Sequence, residues 1–169
     1  YAKARSDTEI KLNAIEAMVA RYPDRIGIAR SADQAEQMVA NGSHFVVIGM
    51  VNAWPLGPDL SWLPELYGRG LRNITLAHAG HNQFSDSSRP RYSLSMKHGG
   101  LSQLGRKLIR TMNHMGIIID VSQVTSQALF QVTELSRAPV IASHSGIKAI
   151  RDTARNLTDS ELSALKDTG

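Results

Sequence analysis

Apolar residues follow two alternating patterns along the chain. Over 7–21, DTEIKLNAIEAMVAR, the residues Ile10, Leu12, Ile15, Met18 and Val19 recur at roughly helical spacing, and Ser6 or Asp7 can cap that helix. A short strand follows at 26–29. Ser31 opens a second helix, SADQAEQMVANG, which Asn41-Gly42 stops. The run HFVVIGMV (44–51) is apolar and bounded by turn residues, which predicts one buried strand. DLSWLPELYGR (59–69) predicts a helix interrupted by Pro64, and NITLAHA (73–79) a strand. GGLSQLGRKLIRTMNHMG (99–116) carries Leu101, Leu104, Leu108, Ile109 and Met112 on one helical face. IIIDVS (117–122) and PVIASHS (139–145) read as strands, separated by a helix over 125–136 that Thr125 or Ser126 caps. A last helix occupies 156–169, with Thr158 or Asp159 as its cap and Glu161 close behind. The polar stretch 80–98 predicts a long loop, and loops of that length are functional or disordered.

Strand–helix alternation at this spacing predicts an α/β fold of parallel strands joined by right-handed crossovers. Two architectures fit: an open doubly wound sheet, or part of a TIM-type (β/α)8 barrel. A complete barrel takes roughly 250 residues, so the 169 residues here would form a single, incomplete barrel domain. No glycine-rich phosphate loop follows any strand, which weakens a nucleotide-binding reading.

Composition narrows the chemistry. With 42% hydrophobic and 20% charged residues, the chain matches an ordinary globular protein. It has no cysteine, which removes disulfides, thiolate nucleophiles and cysteine zinc sites. The net charge of +4 is modest, and its basic residues are scattered without interleaved aromatics, which argues against nucleic acid as a partner. No apolar stretch approaches the roughly 18 residues of a membrane span. The polar first residues, YAKARSDTEIK, do not read as a signal peptide and lack an initiating Met, so a start within a longer protein is expected. The compartment is not readable.

In both architectures ligands meet the C-terminal ends of the strands. The strand from 44 delivers Val51, Asn52 and Trp54 there; the strand from 73 delivers His78, His81 and Asn82. Asp120, Ser122 and Gln123 follow from the next strand, and Ser143, His144 and Ser145 from the last. A histidine so placed can bind a metal or move protons, or it can simply bond a neighbouring loop. Asp120 can be functional or a structural carboxylate bonded to backbone amides. His44 lies at the opposite strand end and reads as structural, while His98 and His114 read as surface residues. Arg155 can clamp a carboxylate bidentately or remain a solvated charge.

The stretches LSRAPVIASHS, ARNLTD and GLSQLGRKLIRTMNHMGIIIDVSQVT resemble the membrane (renal-type) dipeptidases, a family of zinc peptidases. YPDRIGIARSADQ, NAWPLGPDLSWLPELYGRGLRNITLAHAGHNQFSDSS and HGGLS are similar to its bacterial branch, so the likeness runs through nearly the whole chain. It implies a (β/α)8 barrel with two zinc ions at the strand ends and metal-assisted hydrolysis of short dipeptides. By position, it implies that His144 is a zinc ligand, that His78 contacts the reacting carbonyl region, and that Arg155 holds the substrate carboxylate; Asn52, at the end of the strand from 44, is a second candidate for substrate binding.

The chain departs from the family at the metal. It contains no His-x-Asp pair. The family's bridging glutamate falls at Val51 and another zinc histidine at Gln123. Valine offers no lone pair and a glutamine amide is a poor zinc ligand. One matching ligand does not hold two zinc ions, so zinc is expected to bind weakly or not at all, and this chain alone is expected to be inactive as a dipeptidase. Two further readings stay open: a non-catalytic relative that binds peptides or small carboxylates around His78 and Arg155, or a fragment that self-associates through open barrel edges.

Overall fold

The computed structural model of the protein describes residues 1–89 and 95–169. Its elements run α1 (Ala2–Arg21), β1 (Ile26–Ile28), α2 (Ala32–Ala40), β2 (His44–Val46), β3 (Ile48–Val51) and a 3-10 turn at Trp54–Leu56. They continue α3 (Leu63–Gly68), β4 (Leu71–Thr75), α4 (Gln103–Met115), β5 (Ile118–Asp120), α5 (Ser126–Leu135), β6 (Val140–Ile141) and α6 (Asp159–Lys166).

Strand order decides between the two expected architectures. β1 pairs with β2, and β3, β4, β5 and β6 pair in chain order, all parallel. A doubly wound sheet must reverse its order at a switch point; here every described strand lies beside its sequence neighbour, as in a barrel wall. The single strand expected over 44–51 is two. Its first half pairs with β1 and its second with β4, and the ladder slips between Ile48 and Gly49. Barrel strands are staggered, so the neighbours on the two sides of one segment engage it at different heights.

Burial along that segment also alternates. Ile48 and Met50 are buried towards the helices, whereas Phe45, Val47 and Val51 are exposed on the other face. The core lies between sheet and helices. Met50, Ile74, Ile119 and Val140 from the strands meet Leu63, Leu66, Leu108, Ile109, Met112, Leu129 and Val132 from α3, α4 and α5.

The helices follow local rules with small shifts. Ser31, Ser102, Thr125 and Thr158 each cap a helix by accepting an N–H three residues on. Thr158 and Glu161 complete a reciprocal capping box. Gly116 closes α4 at φ 71°, ψ 33°, a left-handed conformation that costs glycine nothing. Neither Ser6 nor Asp7 caps α1, because the helix already starts at Ala2. The helix expected from 59 begins only at Leu63, with Pro64 in its first turn, where the missing N–H costs no bond. Among the described residues no helix is long and apolar enough to cross a membrane.

Part of the expected 80–98 loop lies outside the described residues. The rest is ordered around two buried side chains. Asn82 donates to the Leu76 carbonyl (2.7 Å) and accepts the N–H groups of Phe84 and Ser85. Asp86 accepts the N–H groups of Lys97, His98 and Gly100, at 2.9–3.0 Å. His98, expected at the surface, is partly buried, and its Nε2 lies 2.8 Å from the Asn82 carbonyl, because the loop folds back over it.

Candidate functional site

The polar side chains expected at the strand ends do collect there, with Asp120 at the centre. It ends β5 in register with Thr75 of β4 and Ile141 of β6. Its Oδ2 accepts the hydroxyls of Thr75 and Ser143, both at 2.6 Å, and its Oδ1 accepts the N–H groups of Ser122 (2.9 Å) and Ser143 (3.1 Å). The carboxylate is fully buried. Burial pushes its pKa up, but the Ser143 and Thr75 hydroxyls and the backbone N–H groups outweigh that and hold it below the ordinary value. Of its two open readings, the structure places Asp120 as a saturated carboxylate that ties three strand ends together.

His144 extends this network. Its Nδ1 lies 2.7 Å from the Ser143 hydroxyl and its Nε2 lies 3.0 Å from the Gln123 amide nitrogen. Ser143 has one hydroxyl proton, which it gives to the Asp120 carboxylate, so its oxygen accepts from Nδ1–H. On its other side, His144 Nε2 faces the Gln123 side-chain amide. Gln123, His144, Ser143 and Asp120 thus form one continuous hydrogen-bonded row. Backbone contacts hold it: the Ser122 hydroxyl accepts the His144 N–H at 3.1 Å, and an Arg155 guanidinium nitrogen donates to the His144 carbonyl at 3.1 Å.

The other expected residues spread around this centre. His78 is exposed at the end of the β4 segment. Partial desolvation lowers its pKa, and the positive charges of His144, Arg155 and Arg89 lower it further, so the imidazole is biased to its neutral form. Asn52 sits at φ 85°, and its Oδ1 accepts from Asn82 (2.8 Å) and from the Trp54 N–H (3.1 Å). Those bonds make the Asn52 carbonyl a turn-forming group that links two strand ends. Val51, 58% exposed, faces the open side of the sheet in register with Thr75.

These residues do not fit a zinc site. Val51 has no donor atom, Gln123 presents an amide, and His144 Nε2 already lies 3.0 Å from that amide. No group of three or more His, Asp or Glu side chains among the described residues is arranged to hold a metal ion. Sequence reasoning missed Thr75 and Asp86. A threonine in a β-branched strand and an aspartate in a Ser-rich loop carry no signal in the sequence that distinguishes them from structural residues. Their roles appear only when long-range partners are in place.

Comparison with known proteins places this geometry. The family model described as membrane dipeptidase, peptidase family M19, matches residues 1–169. Among curated proteins, dipeptidase tcpJ of Claviceps purpurea is 34% identical over 160 residues, covering 95% of this chain and 37% of that protein. Dipeptidase verJ of Clonostachys rogersoniana is 31% identical over 159 residues, covering 94% and 40%. The chain therefore spans about 40% of the length of the relatives it matches.

Solved structures agree. The probable dipeptidase PvdM from Pseudomonas aeruginosa superposes with a TM-score of 0.94 at 40% identity, over 99% of this chain and 42% of that one. A metallo peptidase from Rhodobacter sphaeroides, liganded with a phosphinate mimic of the dipeptide L-Ala-D-Ala, gives 0.84 at 26% identity, over 92% of this chain and 45% of that one.

Proposed function

The chain belongs to the membrane dipeptidase family, peptidase family M19, and from that premise we propose that its strand-end site binds a dipeptide or small carboxylate without metal-assisted hydrolysis. The family implies metal ions and peptide hydrolysis. One observation carries the departure from it: the Gln123 amide nitrogen stands 3.0 Å from His144 Nε2, on the lone pair a metal would need. Hydrolysis of an amide at neutral pH needs a strong nucleophile and a stabilised oxyanion, and in this family bound metal supplies both. With Val51 and Gln123 at two of the metal positions, neither is available from these residues.

The features that would hold a ligand remain. Arg155 lies beside His144 with guanidinium N–H groups beyond the one given to the His144 carbonyl. His78 adds a second polar group on the same side, and Asp120, the carboxylate at the centre of the cluster, is buried and fully bonded. The Arg155 guanidinium is thus the charged group at the mouth, which suits a carboxylate.

The test is metal content together with turnover. The purified chain is exchanged into zinc, freed of unbound metal and assayed on L-alanyl-L-alanine. Zinc well below one equivalent and no hydrolysis above background are expected. Near-stoichiometric zinc with dipeptide turnover would overturn the proposal.

A further inference from the structure

We propose that two copies of this chain close one eight-stranded barrel, with β6 of each copy beside β3 of the other, so that each strand-end site is completed by the partner copy. This inference goes beyond the ligand reading above and does not depend on it.

The argument starts from the face of the sheet that the helices leave bare. Ladder register sets Val51, Thr75, Asp120 and Ile141 in one row, and Gly49, Asn73 and Ile118 in the row below. Side chains alternate between the faces of a strand. These rows therefore point away from the core that Met50, Ile74, Ile119 and Val140 enter. In a closed barrel such inward rows stack into a packed interior. Here Val47 is 50% exposed, Val51 58% and Ile118 42%. Bare β-branched side chains on the inner face of a barrel wall are half of an interior, and apolar patches of this kind mark association surfaces.

The edges of the sheet point the same way. β3 and β6 are its outermost strands. An edge strand presents backbone N–H and C=O groups without a ladder. A cavity of 510 Å³ runs along β3, between that strand and α1, with Leu12, Ile15, Ile48, Met50, Val51 and Trp54 in its lining. α1 thus roofs a space beside β3 that no described strand fills. At the other edge, the Val140 N–H donates to the Thr168 hydroxyl at 3.0 Å. A strand carbonyl can replace that hydroxyl bond for bond. The segment after β6 also bares two large apolar side chains, Ile147 and Ile150.

The strand count favours a second copy as the occupant. All four strands are parallel and follow chain order. A two-fold axis along the barrel axis keeps the second set parallel to the first. It sets β6 beside β3 twice, in identical joints, and two sets of four make the eight strands of a closed barrel. Head-to-tail joints that close in this way leave no edge from which a filament could grow. All strand ends then open at one mouth. His144 and Arg155 follow β6, and Asn52 ends β3, so Asn52 of the partner subunit would line the side of His144 and Arg155 that a single copy leaves open.

Sedimentation equilibrium of the purified 169-residue chain tests the proposal. A dimer is expected within roughly 1 to 100 μM. Ile118→Lys places a charge where one copy exposes the side chain and the closed barrel encloses it. The variant should keep its native circular dichroism and lose dimer affinity about a hundredfold or more. Val39→Lys, at an exposed position of α2, should leave the dimer unchanged. Should Ile118→Lys fail to fold, Val47→Lys puts the charge on the same face. A monomer at every concentration would overturn the proposal and leave the face to another occupant, such as further strands of a longer polypeptide. A dimer that both face variants leave intact, or an open-ended polymer in its place, would overturn it as well.

Discussion

At the scale of single residues, His144 is the clearest case of a side chain whose chemistry is set by its neighbours. Its type and strand-end position were legible in the sequence. That the Gln123 amide would cap the ring was not, because the contact joins residues 21 apart. The same holds for Asp120, whose residue type leaves a functional and a structural role equally open. Only its four bonds decide. If the amide is what keeps metal away, Val51→Glu combined with Gln123→His should restore zinc binding, by supplying a carboxylate and an imidazole and freeing His144 Nε2. Equilibrium dialysis should then show the double variant rising towards stoichiometric zinc, with Gln123→His alone gaining less. A double variant that folds and still takes up no zinc would sink the argument. Asp120→Asn tests the other end of the relay. The amide oxygen replaces only one of the two carboxylate oxygens, so its NH2 is set against either the two hydroxyls or the N–H groups of Ser122 and Ser143, and the variant should lose about 3 kcal/mol of stability, read as a lower urea midpoint at unchanged m.

At the scale of elements, most helices were legible because caps and amphipathic periodicity are local. Ser31, Ser102, Thr125 and Thr158 sit where a capping residue is expected, and Thr158→Ala should cost about 1 kcal/mol by breaking the capping box. Strand limits were less legible. An apolar run shows that a strand exists, but pairing partners set its ends, and stagger divided 44–51 into β2 and β3. Gly105 separates local preference from tertiary fit. Gly105 lies in the first turn of α4, and within a helix an alanine is intrinsically better than glycine by up to about 1 kcal/mol. Here a Cβ would stand 2.0 Å from the Phe84 carbonyl oxygen, where the 81–89 loop crosses the helix. Gly105→Ala should therefore destabilise, by roughly 1–3 kcal/mol or more, because α4 or the loop must move. Thermal unfolding would show a lower midpoint; a raised one would mean that the loop yields freely.

At the scale of the whole molecule, two buried carboxylates tie together parts that lie far apart in the chain. Asp120 holds the ends of β4, β5 and β6, and Asp86 holds 97–100 against the start of the same loop. Asp86, like Asp120, is pushed up by burial, and the N–H groups of Gly100, His98 and Lys97 bring it below its ordinary value, with His81 adding to that. A carboxyl whose folded pKa is depressed binds protons more readily in the unfolded chain. Its contribution is therefore complete above the unfolded value, about 3.9, and disappears as pH falls through the lower folded value. Unfolding free energy should stay insensitive to these two groups from neutrality to about pH 5, then fall steeply as the medium becomes more acid. The two variants Asp120→Asn and Asp86→Asn give this a sharper form. A protonated aspartate and an asparagine are both uncharged, so each variant should be much less stable than wild type at neutral pH and approach it as pH falls. Urea titrations in steps from pH 7 to pH 3 would show the curves converging. A constant gap across that range would mean that the side chains act through shape alone, with no contribution from their charge.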